Sequence, residues 1–482
     1  MNRNQLEVAA EERLFDAMLD EVVQERVATR GTLQRGRSRW LAAALMLLGL
    51  DVVVGVVVTS RAGPAVAVAP QQEQEPLPLP SRVPVRGIAE LQALDRGATN
   101  VWYLFREPAE LAALARFQQL RSLSIEPDPD LSHEERIAAA WSLSALAECA
   151  SLEHVTIGYF GPLELAEFTV LTRLPKLRSL TLLGRDKVVD AELGALLGKL
   201  PLRSLVLHAV DVQRDGLRAL GELPLLERLE LRDCTGLEKC DLTHLYRLRQ
   251  LRALGVRGFG LPRQVVAGGS GTAVSIELPE VRDGKFVIRV TADWMRGLAK
   301  ALPNLCELDL TESMIDDEVL LALPRKLRRL GIGGALGYTE LGVAAVLDLP
   351  ELQTLGCGDP SPSTLRFGEQ VPAAIWWPTL HLKKLQRLEF AGFLTAEFTD
   401  ALSQQVELRE LRLDHSSRSF SFRVDGKEEL REAPIPSFAF LADLPHLQLV
   451  QLRAPTVGLE AAIRQALPEV LAKRVRIEVL PR

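Results

Sequence analysis

Residues 223–234 read LPLLERLELRDC. Leu226, Leu229 and Leu231 stand in the pattern apolar, two variable, apolar, one variable, apolar. Side chains two apart in an extended strand share a face. Leu229 and Leu231 therefore point one way and Arg228, Glu230 and Arg232 the other. Pro224 cannot continue a helix, so it closes whatever helix comes before it. That preceding stretch, Arg214–Leu223, has helical apolar spacing. The unit read here is a short strand with a helical return leg, and its leucines cannot be buried by one unit alone.

The same pattern recurs along the chain. Copies begin at Leu120, Leu152, Leu177, Leu202, Leu226, Leu251, Leu305, Leu327, Leu352, Leu385, Leu408 and Leu447. Their steps are 32, 25, 25, 24, 25, 54, 22, 25, 33, 23 and 39 residues. Most lie within the 20–29-residue period of one repeat class. Asp190–Leu200 has the helical spacing of a return leg, and Leu-Pro pairs at 174, 223, 302, 349 and 444 stop the helices. Weak strands at Val101–Leu104 and Val475–Val479 read as capping copies.

These copies, and the VxxxGLxxLxxLPxLExLxLxxC stretch ending at Cys234, resemble the leucine-rich repeat superfamily in its longer, helix-bearing, cysteine-containing form. The resemblance covers about 400 residues. It implies an α/β solenoid shaped as a horseshoe, with a parallel sheet on the concave face, helices on the convex face, and protein recognition as its work. It also places Cys234 where a side chain satisfies a loop backbone.

The residues facing out of such a sheet are the candidate partner-binding set: Arg228, Glu230, Arg232, Arg257, Glu307, Asp309, Arg329, Arg387, Glu389, Glu410, Arg412 and Asp414. The earlier copies carry small uncharged residues at these positions. A Gly-rich floor (Gly331, Gly333, Gly356, Gly358) separates the charged groups and would admit a ligand close to the backbone. Mixed signs disfavour nucleic acid and suit a protein of complementary charge. The alternative is a solvated face with cross-strand pairs.

The long steps hold insertions. Residues 258–290 contain AGGSGT and a hairpin about Asp283-Gly284, and Ile288-Arg289-Val290 is read as the missing repeat strand. Residues 415–437 contain a second hairpin about Asp425-Gly426. Insertions of this kind often carry function.

No catalytic constellation is evident, so no enzyme and no cofactor are expected. Seven scattered histidines form no paired ligand motif. Cys234, Cys240 and His244 are the one Cys/His cluster, open to a local disulfide or a metal as rival readings. Cys357 reads as a buried small hydrophobe. The glycines at 331–337 lack phosphate-loop spacing, and Asp414-His415-Ser416-Ser417 are triad types without triad geometry. Trp376-Trp377 could anchor an interface or pack in the core.

The first 85 residues differ in kind. Residues 40–58, WLAAALMLLGLDVVVGVVV, are about 28 Å long as a helix, close to a bilayer's hydrocarbon thickness. A transmembrane helix is assigned to 40–59, with Asp51 inside it. Arg26, Arg30, Arg35, Arg37 and Arg39 precede it, which places the N-terminus in the cytoplasm and the repeats outside. Cleavage at Ala65-Val66-Ala67 is the alternative to an uncleaved inner-membrane anchor. Residues 1–39 hold an acidic amphipathic helix at 4–28 (apolar at Leu14, Phe15, Met18, Leu19, Val22, Val23 and Val27), suited to self-association or a cytosolic partner. Residues 60–85 are a Pro/Gln-rich spacer, and the repeat domain runs 86–482.

Composition agrees with a globular chain: 47% hydrophobic and 25% charged. The 57 Lys+Arg against 63 Asp+Glu give a net charge of −6, without the basic excess of a nucleic-acid binder. Ala/Leu/Arg-rich usage points to a bacterial source. A second functional reading is a transmembrane regulator whose helix at 4–28 holds a cytosolic partner.

Overall fold

The computed structural model divides the chain into two units, residues 1–78 and 79–482. It describes residues 84–480 except 133–134, 136–141, 159–163, 185–187, 238–239, 259–262, 267–273, 278–280, 283–284, 287–289, 336, 359–383, 392–395, 415–418, 425–426, 433–438, 454–464 and 466–474. The acidic helix, the apolar span with Asp51, nearly all of the spacer and Trp376-Trp377 lie outside the described residues. Among the described residues no helix is long and apolar enough to cross a membrane.

Fifteen strands form one sheet whose order follows the repeats. Successive members include Asn100–Phe105, Ser122–Pro127, His154–Gly158, Ser179–Leu183, Ser204–His208, Arg228–Arg232 and Ala253–Arg257. They continue through Glu307–Asp309, Arg329–Gly331, Thr354–Gly358, Arg387–Ala391, Glu410–Asp414, Leu449–Arg453 and Arg476–Leu480. Every neighbouring pair is parallel, which requires a crossover between strands and makes each repeat a strand plus a return leg. Register stacks like on like. Leu180, Leu205, Leu229 and Leu254 form one inward column, continued by Leu308, Leu330, Leu355, Leu388 and Leu411. All are at most 1% exposed and belong to one continuous core. The architecture fits a leucine-rich repeat solenoid, as the twelve copies predict.

The return legs differ in winding even between repeats of equal length. Ala191–Leu197 is an α-helix whose N-cap Asp190 accepts from Glu192 N and Leu193 N at 3.0 and 2.9 Å. Thr291, Asp316 and Thr339 cap the helices Ala292–Ala301, Asp317–Leu321 and Glu340–Leu347 in the same way. Pro108–Arg116, Thr169–Arg173, Leu242–Arg247 and Ala439–Asp443 are instead 3-10 helices, tighter than the α-helical leg expected. Leu-Pro pairs then form turns with proline second: Leu177 N donates to Leu174 O at 3.2 Å and Leu305 N to Leu302 O at 3.1 Å.

At the other strand ends, one residue in each of five successive repeats adopts positive φ: Ala209, Asp233, Gly258, Glu312 and Gly334, at 55°, 50°, 69°, 56° and 69°. Each donates its N–H to the next repeat. Ala209 N reaches Arg232 O at 2.9 Å, Gly258 N reaches Thr311 O at 3.0 Å and Glu312 N reaches Gly333 O at 2.8 Å. Among the described residues, the one that follows turns inward. Asp128, Val210, Cys234, Ser313 and Ala335 share that repeat position, all at most 3% exposed. Ser313 Oγ donates to Val256 O at 2.9 Å and Cys234 Sγ to Leu207 O at 3.4 Å.

Two expectations change. Val85–Arg86 is a strand, paired with Tyr103 and Leu104, so the sheet begins inside the stretch assigned to the spacer. Ile288 and Arg289, read as part of the missing repeat strand, lie outside the described residues, and Ala253–Arg257 pairs directly with Glu307–Asp309. The rival disulfide reading fails: none of the five cysteines forms a disulfide, and Cys240 Sγ donates to Val212 O at 3.3 Å. The hairpins themselves form. Arg263–Val266 pairs antiparallel with Val274–Glu277, Val281–Arg282 with Lys285–Phe286, and Ser419–Val424 with Lys427–Glu432. Cys357 is 2% exposed in the core.

Candidate binding surface on the open face of the sheet

Because the leucines alternate inward, the residues between them line the opposite face in columns fixed by register. One column runs Ser179, Ser204, Arg228, Ala253, Glu307, Arg329, Thr354, Arg387, Glu410. The next runs Thr181, Val206, Glu230, Gly255, Asp309, Gly331, Gly356, Glu389, Arg412. All twelve candidate residues lie at outward register positions; the side chain of Asp414 is outside the described ones. They gather into two clusters.

In the first, Arg228 Nη1 donates to Glu230 Oε1 at 2.8 Å and Nη2 to Glu307 Oε2 at 2.6 Å. Arg232 Nε donates to Glu230 Oε2 at 2.7 Å, and Arg257 stands 3.4 Å from Asp309. Glu230 is the most enclosed of these, its side chain 12% exposed. Burial opposes its charge, but the Arg232 and Arg228 guanidiniums outweigh that and hold its carboxyl below the usual range. Burial likewise opposes the charge of Arg228, and Glu307 and Glu230 outweigh it, raising its value. His208 Nε2 lies 3.2 Å from Asp233 Oδ2 at the edge of this cluster.

In the second cluster Glu389 is ringed by three guanidiniums: Arg387 at 2.9 Å, Arg412 at 3.6 Å and Arg329 at 3.8 Å. Arg387 also reaches Glu410 at 3.0 Å. Gly331 and Gly356, adjacent in register, separate the clusters. A Cβ at Gly331 would meet Asp309 Oδ1 at 2.7 Å, so that glycine is needed by its acidic neighbour. A Cβ at Gly356 would find nothing nearer than 3.6 Å, so a small side chain would fit there without a clash and the glycine leaves bare backbone at that point.

Pattern reading missed the acid at the other end of the face. Glu126 lies over Gly158, where a Cβ would strike its Cγ at 2.3 Å, and accepts from Ser124 Oγ at 3.2 Å. Burial pushes its carboxyl up. It falls in the third outward column, beyond the two variable positions that read as uncharged. Nearby, Arg106 Nε donates to the buried Asp128 carboxylate at 3.1 Å, and Arg86 stands 3.9 Å from it. Burial raises the Asp128 carboxyl, and the Asp130 N–H and Arg106 overcome that to leave it below the usual range.

Nothing in this arrangement pairs a nucleophile with a base, and no group of His, Cys, Asp and Glu among the described residues could hold a metal ion. What the face can do chemically is present fixed charge and bare backbone.

No protein-family model matches this chain, and no curated protein does. Solved structures do. An internalin, InlF, of Listeria monocytogenes str. 4b F2365 is 13% identical over 81% of this chain and 88% of its own, with a TM-score of 0.34. TLR13, in a complex with ssRNA13, is 14% identical over 80% of this chain and 56% of its own, with a TM-score of 0.35. Internalin C2 of the same Listeria strain is 16% identical over 60% of this chain and 84% of its own, with a TM-score of 0.27. The solenoid assignment rests on the sheet's own register.

Proposed function

We propose that the chain is a protein-recognition module that works through the open face of its sheet and is held at a membrane by residues 40–59. The observation that carries this reading is the pair of ion-paired clusters, at Arg228/Glu230/Glu307 and Arg387/Glu389/Glu410, flanking the open backbone at Gly356. Ion pairs hold long side chains in place before a partner arrives, which lowers the ordering cost of binding. Alternating sign suits a folded or extended protein of complementary charge and opposes a polyanion.

Two insertions support the same location. They follow the strands ending at Arg257 and Asp414, and in a parallel sheet with one strand per repeat those ends share one rim. The anchor is a single-pass inner-membrane helix in a bacterial cell, with the N-terminus cytoplasmic and the repeats periplasmic or extracellular. The five arginines ahead of the span support that orientation. No chemistry of the protein's own is proposed. A second reading, in which the helix at 4–28 holds a cytosolic partner, is favoured by its apolar stripe, which needs something to cover it.

The test is site-specific photocrosslinking in the full-length chain. A photoreactive residue at Thr354 on the open face should give protein adducts, and one at Glu192 on the helical side should not. Charge reversal at Arg228, Glu230, Arg232 and Asp309 should abolish them. Equal adducts from both faces, or none from Thr354, would overturn the reading. Adducts from residues 4–28 alone would favour the second.

A further inference from the structure

Two arginines on the open face make the same reach with different results. Arg228 crosses the strand carrying Ala253 and closes on Glu307 at 2.6 Å. Arg329 crosses the strand carrying Thr354 and Gly356 towards Glu389 and stops at 3.8 Å, its side chain 50% exposed. Glu389 is already served by Arg387 at 2.9 Å and approached by Arg412 at 3.6 Å. Among the described residues this cluster sets three guanidiniums against two carboxylates, Glu389 and Glu410, and Arg329 carries the surplus. Beside it Gly356 carries no side chain, and an added Cβ there would stand at ordinary contact distance, 3.6 Å from Gly331 Cα.

We propose that this place binds a carboxylate side chain on an extended peptide segment of a partner protein, the peptide lying over Gly356 and its Asp or Glu pairing with Arg329. This deepens the recognition reading above and rests on it. Guanidinium takes a carboxylate in a planar two-bonded pair, and here it would not have to abandon a short bond to do so. A chain of phosphates fits less well. Glu389 and Glu410 lie on the two strands beyond the glycine, and a second phosphate would meet them at once.

The probe is a displayed library of random 12-residue peptides, selected on the full-length chain. Selected peptides should share an acidic position. Synthetic copies with that residue changed to Gln should bind at least tenfold more weakly. The wild-type peptides should lose a similar factor on Arg329→Gln. Gly356→Val fills the open surface, and its Cβ would sit at ordinary contact distances, 3.6 Å from Gly331 Cα and 4.0 Å from Glu389 Cβ. That variant should keep its melting temperature and lose the peptide. Peptides without an acidic position, equal binding to either variant, tighter binding of a phosphoserine copy, or no selected peptide at all would each overturn the proposal. None of these results bears on photocrosslinking from Thr354, which tests the broader reading independently.

Discussion

Arg228 donates to Glu307 over the top of a strand that lies between them, and the residue it passes over is Ala253, 5% exposed. Strands in a sheet are about 4.8 Å apart, so the pair spans about 10 Å, a length two long charged side chains can cover together. The bridge exists because the middle side chain is a single methyl. A double-mutant cycle with Arg228→Ala and Glu307→Ala should give a coupling energy of about 1 kcal/mol, the range for contacting charged groups that keep some water. Ala253→Leu should remove most of that coupling while leaving both charges present. Urea unfolding of the four chains in each background is the measurement.

The two outlying carboxyls of the face should respond oppositely to pH. Glu230 is held below the usual carboxyl range by Arg232 and Arg228 against the effect of burial. A group depressed in the folded state contributes stability above its unfolded value, about 4.3, and loses it as pH falls through the folded value. Glu230→Gln should therefore cost about 1–3 kcal/mol at pH 7, the range for hydrogen bonds to charged groups, and progressively less below pH 4. Glu126 is raised by burial. Its charge is a burden above its folded value, relieved on protonation. Glu126→Gln should stabilise the protein at pH 7.5, and the gain should vanish as pH falls below the unfolded value. Melting temperatures of both variants from pH 3.5 to 7.5 would show the two curves converging on the wild type from opposite sides as pH falls.

The strand faces were legible because Leu229 and Leu231 alternate with Glu230 at period two, and the register repeats that alternation in strand after strand. All twelve candidate residues consequently sit at outward positions. Which of them touch was not legible. The Arg228–Glu307 bond depends on a neighbour being alanine, and the long Arg329–Glu389 distance depends on how two guanidiniums already crowd one carboxylate. Val85–Arg86 escaped notice because two residues carry no periodicity. A six-residue return leg such as Leu242–Arg247 is too short to show a 3.6-residue period, so its tighter winding left no trace.

Ser313 should be worth more than its size suggests. It is fully buried, and its hydroxyl donates to Val256 O at 2.9 Å, at the repeat position where Cys234 donates to Leu207 O. Removing one partner of a buried bond leaves the other unsatisfied, at about 1–3 kcal/mol. Ser313→Ala should therefore destabilise by roughly 1–2 kcal/mol. Ser313→Cys should recover part of that loss, because a thiol is a weaker donor in the same place. Denaturant midpoints at constant m-value would give the order wild type, Cys, Ala. Equal midpoints for Ala and wild type would mean that water takes over the carbonyl.

The residues with positive φ offer the cleanest separation of backbone from side chain. Ala209 and Glu312 hold φ of 55° and 56°, where Gly258 and Gly334 hold 69° in equivalent repeats. For an L residue that conformation costs roughly 1–2 kcal/mol, against about 0.5–1 kcal/mol for the extra freedom glycine loses on folding. Ala209→Gly and Glu312→Gly should each stabilise by about 0.5 kcal/mol. The reverse change at Gly334 should destabilise by a comparable or larger amount. At Gly258 the loss should be greater still, because its Cβ would also stand 2.5 Å from Asp233 Oδ1. Each of these residues donates its N–H to the following repeat, so amide exchange should report the effect there as well. Gly258→Ala should speed exchange at Gly258 itself and leave the hydrogen-bonded amides of the strand Ser179–Leu183, three repeats back, unchanged. A uniform rise across the sheet would instead mean that the solenoid unfolds as one cooperative unit rather than repeat by repeat.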